Sequence, residues 1–383
     1  MVSPRHASRM PRPRRSAPLL IAVVALVALV AGVLGLRRVG VNATITTTSA
    51  AAPTTSTTAH PASTTTLPAI VTLSAVGDTD LGNTPQLPAN PLGYFSPVRS
   101  LLSGDIVFGN LEGTMTNAGP SKCAASSVGC YAFRVPPTFA RVYRQAGFTV
   151  LNSANNHSYD YGAEGESQTS AALRNAGIVQ AGLPGQIGLV RVHGVTVAFC
   201  DFAPYTLTND LLSTAEEDAL IAQARREASV VVVYMHAGAE GPSADHVTRH
   251  EEYFYGEDRG NPYLFAHRAI DDGASLVLGS GPHVVRGLEW YRGHLIAYSL
   301  GDFTNYEAFA TVGDLSLSLV LHVTLSAKGA VRAASVSPVI LEPGGQAWPD
   351  PHGAVIGLLN SLSTSDFAGA AALVSPSGQI AIR

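Results

Sequence analysis

The chain has 383 residues, 46% of them hydrophobic and 14% charged, with 37 Gly and 24 Pro. That apolar content can fill one large core or two small ones, and charge this sparse, against roughly 25% in an ordinary soluble domain, excludes a disordered or coiled-coil chain. Net charge is −4, yet seven of the 24 Lys and Arg precede residue 40 and no acid precedes Asp78; the remainder is therefore strongly acidic, which argues against a nucleic-acid partner.

Residues 1–16 form a basic segment containing Arg5, Arg9, Arg12, Arg14 and Arg15. Residues 17–36, APLLIAVVALVALVAGVLGL, carry no charge, and a helix of that length, at about 1.5 Å per residue, spans the roughly 30 Å hydrocarbon core of a bilayer. Five Arg before the run, against Arg37 and Arg38 after it, predict a single-pass anchor in the cell membrane. The N-terminus is then cytoplasmic and the main domain extracellular. A cleaved signal peptide is the competing reading; the length of the run and the arginine pair where a small-residue cleavage site belongs favour the anchor. Residues 37–68 read as a disordered stalk, since 41–68 are almost entirely Thr, Ser, Ala, Val and Pro.

A folded domain is expected over 69–345, with 346–383 as a C-terminal extension. Cys123 and Cys130 close a short Ser/Ala/Gly-rich loop, and in an exported chain they are expected to pair; Cys200 reads as a buried structural thiol. Apolar β-branched runs at 70–76, 105–109, 148–153, 195–200, 229–235 and 275–278 alternate with helix-like segments at 136–147, 164–176, 213–228 and 262–273. Pro at the helix starts and Gly just past their ends punctuate that pattern. It predicts an α/β domain with a largely parallel inner sheet. Consecutive strands at 284–291, 294–299, 316–325 and 331–340 predict an antiparallel portion packed beside that sheet.

Five of the inner strands run directly into chemistry-bearing side chains: Asp78 and Asp80, Glu112, Asn155-Asn156-His157, His236 with Glu240, and His283. The carboxyl edge of an open α/β sheet is where ligands bind. A single Asp after a strand is most often a turn former or cap, but no capping rule produces this mixture at five strand ends. Carboxylate, amide and imidazole donors together suit a borderline divalent ion, Zn, Mn or Fe, in one or two sites. Asp160, three residues past His157, is placed to orient that imidazole. Arg134, beside the cysteine loop, and Arg286, just past His283, are candidates for holding an anionic substrate, as is Glu240 for contacting it; for both arginines an exposed solubilising role competes. Glu257-Asp258-Arg259-Gly260 reads as a polar loop near the site. His246 and His250 stand at i, i+4, but no Glu follows His246 as a zincin requires.

The segments GDTDLG, DIVFGNLEGT, VLNSANNHSYDYG, VVVYMHAGAEG and LVLGSGPHVVRGLEWYRGHLIAYSLGDF together resemble the CapA family of capsule or poly-gamma-glutamate synthesis proteins. That family in turn resembles calcineurin-like metallophosphoesterases. The resemblance implies a four-layer α/β/β/α sandwich with a metal-dependent hydrolase site for a phosphoester or an amide. It implies Asp78 as a first-site ligand, Asp80 where a D-x-H motif carries its His, Glu112 as the bridging carboxylate, and Asn156 as the amide ligand. His236 and His283 complete the set, with His157 as the acid or transition-state donor. Two positions depart from the family: Gly281 stands where many members carry the first His of H-P-H, and Asp302 stands where they carry Asn in S-L-G-N-F. The implied substrate is an anionic envelope polymer or its precursor, handled in a capsule-synthesis membrane complex. A non-catalytic scaffold or polymer guide is the alternative.

Overall fold

The computed structural model describes residues 69–124 and 126–383. The predicted anchor and stalk lie outside the described residues, and among those described no helix is long and apolar enough to cross a membrane. The chain enters through β1 (Ile70–Asp80) and β2 (Ile106–Leu111), followed by a two-residue pairing of β3 (Thr114–Met115) with β4 (Arg134–Val135). Helix α1 (Ala140–Ala146) leads to β5 (Val150–Asn152), and α2 (Gly162–Ala176) to β6 (Val179–Ala181). A hairpin of β7 (Gly188–Val192) and β8 (Val195–Ala203) precedes β9 (Asn209–Asp210), α3 (Thr214–Glu227) and β10 (Val230–His236). The small hairpin β11 (Tyr253–Phe254) and β12 (Glu257–Asp258) is followed by α4 (Pro262–Asp271) and β13 (Leu276–Ser280). The remaining elements are β14 (Leu288–Tyr291), β15 (His294–Ala297), β16 (Asp302–Asn305), β17 (Leu317–Ser326), β18 (Val331–Leu341), β19 (Ala347–Pro349), α5 (Ala354–Phe367) and β20 (Gln379–Ile380).

Local chemistry sets these boundaries. Ser213 caps α3 by accepting from Glu216 N, and Asn261 caps α4 by accepting from Leu264 N with Pro262 at the first helical position. Gly147 and Gly177 end α1 and α2 in the left-handed conformation. The segment at 136–139, expected to be helical, is instead a 3-10 turn over Pro137–Phe139, and the strand expected from 284 begins at Leu288.

The alternating strands do not share one sheet. The first sheet runs β19-β18-β17-β1-β2-β5-β6, parallel from β1 to β6 and antiparallel beyond β1, with β16 joined to the end of β1 in parallel. The second runs β14-β15-β13-β10-β8-β7, parallel at its centre and antiparallel at both edges. The late antiparallel strands therefore extend the parallel strands edge to edge, because β17 hydrogen-bonds directly to β1.

One apolar layer lies between the sheets, with Leu73, Phe108 and Val150 from the first facing Phe199, Val232 and Leu278 of the second. A second layer packs α1 and α2 on the outer face of the first sheet, and a third packs α3 and α4 on the outer face of the second. The order is thus helices, sheet, sheet, helices. The segment 346–383 is not an appendage: β19 and β20 pair with β18, and Val355 and Leu359 of α5 enter the inter-sheet core.

Candidate functional site

β1 delivers Asp78 because the chain can come close at Gly77, where a Cβ would stand 1.8 Å from Gly301 O. Asp78 N then donates to Gly301 O (3.0 Å), and the parallel β1–β16 pairing sets Asp78 opposite Asp302. β2 carries Asn110 inward, and Glu112 follows two residues later on the same face. The turn after β5 supplies Asn155, Asn156 and His157; β10 ends in His236, which is in register with Ser280 of β13. His283 follows in a left-handed conformation, φ 59°. The first sheet thus brings carboxylates, amides and His157, and the second brings His236 and His283.

Two groups of donors emerge. Asp78, Glu112 and His236 have ligand atoms all within 4.8 Å of one another, as do Asp78, His283 and Asp302, and all five residues are buried. Asp78 is therefore the residue common to both groups, whereas the bridging position was expected at Glu112. Glu112 Oε1 is buried without a hydrogen-bond partner, 3.7 Å from His236 Nε2 and 3.8 Å from His157 Nε2. Asn156 Oδ1 lies 3.0 Å from His236 Nε2. His157 Nδ1 is 2.8 Å from Asp160 Oδ2, and Lys122 Nζ meets the other Asp160 oxygen at 2.6 Å. Phe133 and Phe309 wall the site, packed on the rings of His157 and His283 at centroid distances of 4.6 and 4.4 Å.

The electrostatics reflect an excess of buried carboxylate. Burial raises Asp78 to about 6, partly offset by His283. Burial, reinforced by Asp78, raises Glu112 well above its ordinary range. Asp80 is also raised by burial. Burial lowers His157 despite Asp160, and lowers His236 further with help from the Arg259 charge. Burial works against the charged form of His283 too, but Asp302, Asp78 and Glu240 outweigh it and lift the imidazole to about 10. Carboxylates this close, with an orphaned oxygen at Glu112, are the environment a divalent cation relieves. The donor set fits such an ion on its chemistry: hard oxygens beside borderline imidazoles.

Not every expected residue joins the site. Asp80 belongs to neither donor group, because its Oδ1 turns back to accept from Gly82 N (2.8 Å). Arg134 lays its guanidinium on the Tyr161 ring, 4.6 Å from the centroid. Arg286 does not meet solvent: it is fully buried and bound by Glu252 through Nη2 (2.7 Å) and Nη1 (3.1 Å). Glu240 stands at the rim, one oxygen on Arg259 Nη1 (2.9 Å) and the other 3.8 Å from His283 Nε2. Cys123 and Cys130 are joined in a disulfide, and Cys200 is buried.

Asn110 escaped the sequence argument and sits at the centre. Its Nδ2 donates to Asp78 Oδ1 (2.7 Å) and to Glu112 Oε2, while its Oδ1 accepts from Asn152 (2.6 Å) and Asn155 (2.9 Å). The signal was the two-residue spacing to Glu112, which puts both on one face of the strand. Ser280, which donates to Asp78 Oδ1, and Lys122 were missed as well, since only register and loop path reveal them.

A sequence profile described as "Bacterial capsule synthesis protein PGA_cap" matches residues 72–307. The chain is 31% identical over 272 residues to "PGA biosynthesis protein CapA" of Bacillus subtilis (strain 168), covering 65% of this chain and 67% of that protein. It is 28% identical over 276 residues to "Capsule biosynthesis protein CapA" of Bacillus anthracis, covering 64% and 62%. The similarity thus spans about two thirds of those relatives or less. Among solved structures, a hypothetical protein from Thermus thermophilus overlaps 73% of this chain and 100% of its own, at 18% identity and TM-score 0.42, an overlap too weak to carry an argument. The profile covers more than half of the sequence and every strand end that feeds the site, so the chain belongs to the bacterial capsule synthesis protein family.

Proposed function

We propose that this protein is a metal-dependent hydrolase acting on a phosphoester or amide of an anionic envelope polymer, poly-gamma-glutamate or a capsular chain, or of its precursor. In this reading residues 17–36 anchor it in the cell membrane as a single pass, with the domain outside and a capsule-synthesis complex as its setting. One observation carries the catalytic part: Asp78, Glu112, His236 and His283, from four strand ends on two sheets, converge with a buried carboxylate oxygen left unpartnered.

Asp78, Glu112 and His236, with the Asn156 amide, would hold the ion, one of Zn, Mn or Fe. Such an ion supplies an acidified water and a polarised phosphoryl or carbonyl oxygen. The protein's own residues do the rest. Asp160 holds His157 through Nδ1, which leaves Nε2 as the atom that takes a proton from the attacking water and passes it to the leaving group. Phe133 and Phe309 exclude water from the two imidazoles. Asn110 keeps Asp78 and Glu112 apart and oriented.

A second reading, a non-catalytic guide in polymer assembly, draws on Gly281, which leaves the rim one imidazole short of the usual family pattern. Elemental analysis of the purified full-length chain separates the two, combined with turnover of a chromogenic phosphodiester and a γ-glutamyl anilide. The enzyme reading expects bound metal, and in His157→Ala a loss of kcat of roughly a hundredfold to ten-thousandfold with the metal retained. Folded protein that stays metal-free in the presence of Zn, Mn and Fe salts supports the guide.

A further inference from the structure

Asp160 is fully buried, and its two oxygens are held from different directions. Oδ2 accepts from Phe133 N (2.6 Å) and lies 2.8 Å from His157 Nδ1. Among the described residues, Oδ1 is met only by the Lys122 ammonium, at 2.6 Å. That ammonium also donates to Asn156 O (3.0 Å), and Lys122 N donates to Asp160 O (2.7 Å). Lys122 thus spans the turn that carries His157, tied to the residue before the imidazole and to the carboxylate that orients it. Lys122 and Phe133 are also the two stems of the loop closed by Cys123–Cys130, and Phe133 lays its ring on His157. None of the described residues from Ser121 to Tyr131 is buried. Packing therefore does little to fix this loop, and the covalent link, which narrows the conformations open to its stems, takes that part.

We infer that Lys122 is a positioning residue for proton transfer: steadied by the Cys123–Cys130 loop, it holds the Asp160 carboxylate in the orientation that aims His157 Nε2 at the reacting atoms. The inference rests on the hydrolase reading and deepens it. Without the ammonium, Asp160 Oδ1 is a buried charge facing nothing, so the carboxylate turns toward water and releases the ring. Asp78, Glu112 and His236 come from other strand ends and keep their places. A lysine built to grip an anionic substrate would keep its donors free, whereas two of the three on Lys122 are spent on Asp160 and Asn156.

The test compares wild type, K122M, K122R and the double variant C123S/C130S as full-length chains in detergent. Turnover of the chromogenic phosphodiester and the γ-glutamyl anilide is measured beside metal content and hydrogen exchange at the Phe133 amide. K122M is expected to lose roughly tenfold to a hundredfold in kcat, with KM and metal content unchanged. Its Phe133 amide should exchange faster, because the carboxylate that accepts from it has moved. K122R, whose guanidinium still offers donors to Asp160, should recover part of the kcat. C123S/C130S should lose kcat in the same direction and by less. Wild-type kcat in K122M, even with faster exchange at Phe133, makes the contact a structural tie and overturns the inference while the hydrolase reading stands. A raised KM with kcat unchanged assigns Lys122 to substrate binding and overturns it equally. Wild-type kcat in C123S/C130S strikes the loop from the inference, and should that variant fail to fold, K122M alone decides. Wild type that turns over neither substrate ends both readings.

Discussion

Arg286 illustrates how one residue's role depends on a partner remote in sequence. Placed just past His283, it looked like a cation waiting for an anionic substrate. In the fold its Nε donates to Ala244 O (2.8 Å) and its Nη2 to Ala239 O (3.3 Å), and Glu252 takes both terminal nitrogens. Glu252 also accepts from Ala239 N (2.8 Å) and Thr248 Oγ1 (3.1 Å), so the pair staples the segment that follows β10. Removing one charge strands the other in a dry environment. Arg286→Ala is therefore expected to cost about 3–5 kcal/mol of stability, and Arg286→Met with Glu252→Gln substantially less, both read from denaturant midpoints. A substrate contact would behave differently: the single variant would unfold normally and lose only affinity for substrate. Asn110 and Asp302 teach the same lesson in the opposite direction. Both were visible in the sequence, yet their roles come from strand pairing, which residue types alone do not specify.

At the scale of elements, the strand ends were legible because each apolar run stops abruptly at a polar side chain. Helix boundaries were legible for a similar reason, since Ser213, Pro262, Gly147 and Gly177 are capping signals with a local mechanism. What the sequence hid was partnership between elements: which of two sheets each strand joins, and that α5 closes the inter-sheet core. The tie between α5 and the segment after β10 is one such contact. His246 Nδ1 meets Asp366 Oδ1 at 2.7 Å, and Val247 N donates to the other oxygen at 2.9 Å. The hydrogen bond to Asp366 raises His246 above its ordinary value of 6.5, against a smaller burial effect. A histidine whose folded pKa is raised stabilises fully below its unfolded pKa, and that contribution is lost as pH climbs through the folded value. The imidazole is more than half exposed, so the effect is local. Hydrogen exchange at Val247, corrected for intrinsic rates, should show protection below the ordinary histidine value of 6.5 that weakens as the pH rises above it. His246→Gln should remove that dependence. Protection equal at both ends of the range in wild type would show that the ion pair contributes nothing.

For the whole molecule, the decisive property is that the candidate site has no single scaffold. Asp78, Glu112, Asn156 and Asp302 ride on the first sheet, and His236, Ser280 and His283 on the second. Their spacing is set by whatever fixes one sheet against the other, which is the apolar layer between them. Phe108 of β2 lies at its centre, stacked on Phe199 of β8 with centroids 5.4 Å apart and planes 6° from parallel, and tilted against Tyr234 of β10 at 5.3 Å. Tyr234 continues to the site, where its hydroxyl meets Ser280 and stands 3.4 Å from His236 Nδ1. Phe108→Ala should cost about 3–5 kcal/mol, and it should also weaken Mn2+ binding, because the cavity lets the sheets shift and the imidazoles move relative to the carboxylates. Leu173→Ala is the control. Leu173 is equally buried but belongs to α2, packed on the outer face of the first sheet, and its loss should cost about 2–5 kcal/mol while leaving ion binding unchanged. Stability from chemical denaturation and Mn2+ affinity from dialysis, measured on both variants, decide the matter. If the two lose stability alike and both keep wild-type affinity, packing between the sheets does not govern the site, and each half of the rim is held by its own strand ends.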